Sequence, residues 1–162
     1  MPLRSTPSRC IITHGMIAGS LASIASTWMI VRRSQRDSGD CFCGTNATSH
    51  WLWSERALHQ HGASARYTAL GYLIHHICAM FWGCIYVSWL QGTGDRRVAP
   101  RGGEIGTKAM TVAALAATVD YTATPQRLTP GFERHLSLRS MGWVYLSFGA
   151  ALAASTLFLT KR

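Results

Sequence analysis

The chain has 162 residues, 48% of them hydrophobic, and carries 16 Lys and Arg against 7 Asp and Glu. The length suits a single domain. The basic excess sits beside apolar blocks rather than along one helix face, which argues against nucleic acid as a partner and fits attraction to anionic lipid.

In chain order, residues 1 to 10 are polar and include Arg4 and Arg9, and Ile11 to Val31 then run 21 residues without a charge. At about 100° per residue, Ile17, Leu21, Ile24 and Trp28 form one stripe. Gly15, Gly19, Ala22 and Ser26 form another, with the two glycines spaced for close helix contact. Arg residues ahead of the run and the small-residue stretch Ser23-Ile24-Ala25 fit a cleaved signal peptide. The run extends past that point to Val31, which favours a first membrane span that stays attached.

Arg32 to Arg66 is the longest polar segment. Arg32, Arg33, Arg36, Asp37, Gly39 and Asp40 suggest a solvated linker. A short helix is expected within Asn46 to Leu58, capped by Thr48 or Ser49, with Trp51, Leu52 and Leu58 resting on the membrane surface. His59 and His61 read as solvated loop residues. Cys41-Phe42-Cys43 with nearby His50 matches no standard zinc spacing. Cys10, Cys78 and Cys84 lie in or beside apolar blocks, where free Cys packs as a small hydrophobe. Neither a metal nor another cofactor is expected.

Tyr67 to Leu90 is 24 residues without Asp, Glu, Lys or Arg. As a helix it reaches about 36 Å, enough to cross a hydrocarbon layer of about 30 Å. Leu70, Ile74, Ile77, Phe81 and Ile85 are expected to meet lipid. Thr68, Tyr72, His75, His76, Ala79, Gly83 and Tyr86 are expected to face partner helices. After an Arg-rich loop from Gln91 to Gly103, Ile105 to Thr124 reaches spanning length, with Lys108 snorkelling at one end and Asp120 near the other. In the polar segment that follows, Thr129-Pro130 suggests the start of a helix. The last apolar block is Leu138 to Leu159.

The expected fold is therefore all-α: one integral membrane domain over residues 1–162, built as a four-helix transmembrane bundle. Its spans are about 11–31, 67–90, 105–124 and 138–159, with a short interfacial helix in the first loop. Both termini then share a side with the short Gln91 loop, which the positive-inside rule assigns to the cytoplasm.

This topology gathers the polar loops on the other face. Asn46, His50, Trp51, Trp53, Arg127 and Glu133 form a candidate loop face above a candidate polar site of His75, His76, Asp120 and Tyr72. An unpaired carboxylate near lipid is unfavourable, so one imidazole is expected to reach Asp120 directly or through water.

The stretches Asn46-x-x-Ser49-His50-Trp51-x-Trp53, Arg66-Tyr67-Thr68-x-x-Gly71-x-x-x-His75-His76, Phe81-Trp82 and Asp120-Tyr121-x-x-x-Pro125-x-Arg127-Leu128-Thr129-Pro130-Gly131-Phe132-Glu133 carry a resemblance. Over roughly residues 44 to 160 the chain resembles an uncharacterised group of short, multi-span bacterial inner-membrane proteins. The resemblance implies inner-membrane location and multi-pass topology, and no activity.

Three functional classes follow. The first is a structural or interaction protein whose partners are the bilayer and a second copy or another membrane protein. The second is a small transporter or channel acting as an oligomer, although Ile11 to Val31 lacks the acidic residue on which small multidrug exporters rely in their first helix. The third is a haem-binding electron carrier. It is weakened because adjacent His75 and His76 point about 100° apart. An enzyme has least support, since the chain has no nucleophile elbow, His-Glu-x-x-His or phosphate-binding glycine loop.

Overall fold

Long runs free of internal proline and rich in Ala, Leu, Met and Ile favour the helix, which satisfies the backbone within one segment. The computed structural model describes residues 7–92 and 101–159. Much of the basic loop after Gln91 (residues 93–100) on which the expected orientation rests, and residues 1–6 and 160–162, lie outside the described residues. Among those described there are helices and no strands.

Helix α1 spans Pro7–Ser38, far longer than its apolar block. Arg32, Arg33, Arg36 and Asp37 therefore belong to a helix, which corrects the expectation of a solvated linker. No glycine or proline interrupts residues 32–38. Gly39, with φ +74°, ends the helix as its N–H reaches the Gln35 carbonyl at 3.2 Å. The start of the last helix also supports the extension: the Ser137 N–H and hydroxyl both donate to Asp37 Oδ2, and Ser38 donates to the His135 carbonyl.

Short helices α2 (Cys43–Thr48), α3 (His50–Trp53) and α4 (Glu55–Leu58) follow, in place of the one interfacial helix expected. Neither Thr48 nor Ser49 caps by its side chain; the Ser49 hydroxyl turns back to the Asn46 carbonyl. A π turn, Ala65–Ala69, leads into α5, Leu70–Gly92. Helix α6, Gly102–Thr118, ends in a second π turn, Val119–Ala123. Two 3₁₀ turns, Gln126–Leu128 and Phe132–Arg134, precede α7, Leu138–Leu159. The helix expected from Pro130 is absent because Gly131 takes φ +87°, which no helix accommodates.

The four long helices pack with α1 against α5 and α7, and α6 against α7 and α5. Three helical stretches, Ile11–Ser38, Ala65–Gly92 and Leu138–Phe158, are long and apolar enough to cross a membrane. The α1–α5 seam is the closest. A methyl group on Gly83 would overlap the Gly15 carbonyl and the Gly19 backbone, and one on Gly19 would strike Ala79 and Met80. Ile17, Leu21, Ile24 and Trp28 line the exposed side of α1, opposite buried Ala22 and Ser26.

On α5 the outward stripe is Leu73, Ile77 and Phe81, and Ile74 is buried, contrary to its expected place against lipid. The small residues that admit α1 rotate the helix so that Ile74 meets the bundle. Lys108 does not snorkel outward either. It is buried, with Nζ 2.6 Å from Glu104 Oε1 one turn back and 5.8 Å from the centre of the Trp89 ring.

Candidate functional site

Residues 39–69 and 124–137 fold together as a cap over one end of the bundle. Every residue from Cys43 to His50 is buried, although the segment reads as polar. Burial is tolerated because most of its polar groups find partners inside the cap. Asn46 is fully buried: its amide donates to the Gln60 carbonyl at 3.2 Å and the Gly62 carbonyl at 2.9 Å, and its Oδ1 accepts from the Thr68 hydroxyl at 2.5 Å. Asn46 thus ties α2 to the entry of α5 and is a structural latch. Burial pushes the Asp40 carboxyl upward, but the N–H groups of Gly62, Phe42 and Cys43, with His61 beside it, outweigh that and hold it below the ordinary value.

The sequence-predicted residues separate into three places. His75 Nε2 lies 2.8 Å from Ser26 Oγ on α1. His76 Nε2 lies 3.3 Å from Ser20 Oγ, and its Nδ1 is 3.3 Å from the Tyr72 hydroxyl. The two imidazoles are therefore held by different serines, and Tyr72 goes with His76. Asp120 Oδ2 accepts from the Tyr145 hydroxyl at 2.7 Å. Neither imidazole bonds Asp120 directly.

A lower cavity of about 60 Å³ nevertheless brings His75 and Asp120 to one space, together with Ser26, Cys78, Trp82 and Tyr145. Trp51 closes it from the cap, its indole N–H donating to the Thr129 carbonyl at 2.9 Å. A cavity needs about 10–15 Å³ of such space to hold one water, so water can occupy this one. It is too small for an aromatic ligand, since a cavity of about 150 Å³ is what holds benzene.

An upper pocket of about 230 Å³ lies on the other side of the 128–132 segment and takes the remaining loop residues, His50, Arg127 and Glu133, with Ser54, Glu55 and Arg134. His50 Nδ1 faces the Ala47 carbonyl at 2.9 Å and Nε2 the Gln126 carbonyl at 3.4 Å, so the ring is a brace between α2 and the second cap segment. Thr129 donates to Glu133 Oε1 at 2.7 Å, while Glu133 Oε2 is buried without a partner. Trp53 lines neither space; the Arg66 guanidinium stands 4.0 Å over its ring.

Cys41 donates to the Gln35 side chain and Cys43 to the Asp40 carbonyl. Burial pushes the Cys43 thiol above its ordinary pKa. Among the described residues no group of three His, Cys, Asp or Glu side chains stands within reach of one metal ion.

Of the residues sequence reasoning missed, Ser26 had a usable signal, its place on the small-residue stripe of α1. Tyr145, Glu55 and Arg134 had none, because an aromatic in an apolar block and charges in a loop are the ordinary background. No family model matches the chain, and no curated protein or solved structure matches it either.

Proposed function

We propose that this chain crosses a bacterial inner membrane four times, α6 with its π turn making the third crossing, and acts as an interaction protein at its capped face. The observation that carries this is the pair of compartments at one end of the bundle, one lined mainly by polar groups and one mainly by apolar groups. The outward stripes of α1, α5 and α7 support the embedding, since a polar surface would otherwise be expected there. Both termini and the α5–α6 loop then face the cytoplasm, and the cap faces the opposite side. The partners are lipid and either a second copy or another membrane protein.

Reporter fusions after Gly92 and after Leu159 should both read cytoplasm; opposite readings would mean that α6 does not cross. Affinity purification from membranes should recover a companion with the wild-type chain and lose it with Arg127→Ala, while the helix content of the variant is unchanged. Recovery by both chains would move the interaction away from the cap.

One observation favours a second reading, a small transporter. His75 and Asp120 share a cavity inside the bundle, and ionisable groups within membrane helices are often parts of ion paths. Reconstituted vesicles should then show proton or solute flux that Asp120→Asn abolishes. Flux equal to that of empty vesicles removes this reading and leaves the first untouched.

A further inference from the structure

We propose that the upper pocket is a headgroup site for a phospholipid bearing a primary ammonium and a phosphate, phosphatidylethanolamine in chemical class. The proposal rests on the membrane reading above, and four observations carry it.

The pocket holds two guanidinium groups, Arg127 and Arg134, and two carboxylates, Glu55 and Glu133. Opposite charges in one concave space ordinarily pair, yet the ion pairs found among the described residues are His61–Asp40 and Lys108–Glu104, and none joins these four. The Thr129 hydroxyl fixes Glu133, the Trp51 indole fixes the Thr129 carbonyl, and Gly131, buried against Ala47 and His50, sets the bend between Arg127 and Arg134.

The second observation is charge balance. Two positive and two negative groups carry no net charge, so a simple ion pairs with one set and leaves the other unpaired. A zwitterion satisfies both sets, its phosphate on the arginines in fork geometry and its ammonium on the carboxylates.

Third, the acidic side of the pocket is carboxylate, Glu55 and Glu133. A primary ammonium can give such groups an N–H, whereas a quaternary choline ammonium has none to give. This selects ethanolamine over choline. Fourth, Leu52 projects from the cap with 60% of its surface exposed, two positions after His50 of the pocket lining. An apolar side chain at that level suits the boundary between headgroups and acyl chains, where the site's ligand is abundant.

The test is lipid retention. The full chain is delipidated, reconstituted into nanodiscs of equal dioleoyl phosphatidylethanolamine, phosphatidylcholine and phosphatidylglycerol, re-extracted, and its bound lipid counted by native mass spectrometry. Wild type should retain the ethanolamine lipid over the other two by roughly tenfold or more, the worth of one charge-assisted hydrogen bond. Glu133→Gln keeps an acceptor for Thr129 but presents an amide, so the ethanolamine-to-choline preference should disappear. The double variant Arg127→Ala/Arg134→Ala should lose both zwitterions, and Arg56→Ala, outside the pocket, should behave as wild type. Equal retention of the three lipids by wild type, or an unchanged preference in a folded Glu133→Gln, overturns the inference. Free phosphoethanolamine that displaces the lipid at equal concentration overturns the lipid source. A chain that fails to enter the nanodisc overturns the membrane reading itself, which the lipid count does not probe.

Discussion

Ser26 Oγ and His75 Nε2 stand 2.8 Å apart across the α1–α5 seam, on the wall of the cavity that Asp120 lines from the π turn after α6 and Tyr145 from α7. Two hydrogen-bonded pairs thus face one small space with room for water. Hydrogen bonds between membrane helices average about 0.6 kcal/mol and reach about 1.7. Ser26→Ala and Tyr145→Phe should each lower stability within that range. If water couples the pairs, the double variant should cost less than the sum, because the first loss already disorders the water. Melting of the purified chain in detergent, measured for all four forms, checks this; strict additivity would show two independent pairs.

The Gly83 contact gives a sharper effect. A side chain there must displace the backbone of α1 at Gly15 and Gly19. Gly83→Val should cost roughly 1–3 kcal/mol or more, the usual range for overpacking. Gly142 on α7 is the matched control, exposed and with open space around its missing Cβ. Gly142→Ala should be neutral or stabilise by up to about 1 kcal/mol, since alanine favours the helix. A similar loss of melting temperature in both would sink the packing argument.

These two sites also show what the sequence could convey. The Gly15–Gly19 spacing and the outward stripe from Ile17 to Trp28 follow from helical periodicity alone, because small and large residues separate by face. The directions of His75 and His76 do not. Both fell on one calculated arc, and only the serines of a neighbouring helix decide that one imidazole enters the cavity and the other leaves it. The cap was least legible. Residues 43–50 look solvated because their side chains are polar, but burial depends on where the carbonyls of Ala47, Gln60, Gly62 and Gln126 end up, and no local pattern encodes that. The extension of α1 past Val31 was hidden for a related reason: its support comes from Ser137 and His135, about a hundred residues away.

Asn46 is where the cap should fail first. Asn46→Asp keeps the acceptor for Thr68 and removes both amide donors, so the Gln60 and Gly62 carbonyls lose their partner. Stranded buried groups cost roughly 1–3 kcal/mol. Hydrogen exchange should speed up across residues 43–68 and stay unchanged in α1 and α7. Uniform acceleration through the whole chain would mean that the cap and bundle unfold as one unit.

The cap should also respond to pH through His135. Its Nε2 lies 2.9 Å from the Leu58 carbonyl, joining the two cap segments. Burial lowers its pKa below the ordinary 6.5; the Leu58 carbonyl and Asp40 oppose this, while His61 and His59 add to it. A histidine depressed in the folded state takes up its proton more readily when unfolded, so its contribution is complete above pH 6.5 and declines as pH falls from there through the folded value. Asp40 acts in the same direction but lower, since its depressed carboxyl contributes above 3.8 and loses that contribution only in stronger acid. Between about pH 7.5 and 5.0 the melting temperature should therefore fall by a few degrees, with the loss assigned to His135. In His135→Gln, which can still donate to Leu58, the baseline is lower but the decline over that interval should shrink. A variant that declines as steeply as wild type would place the titrating group elsewhere.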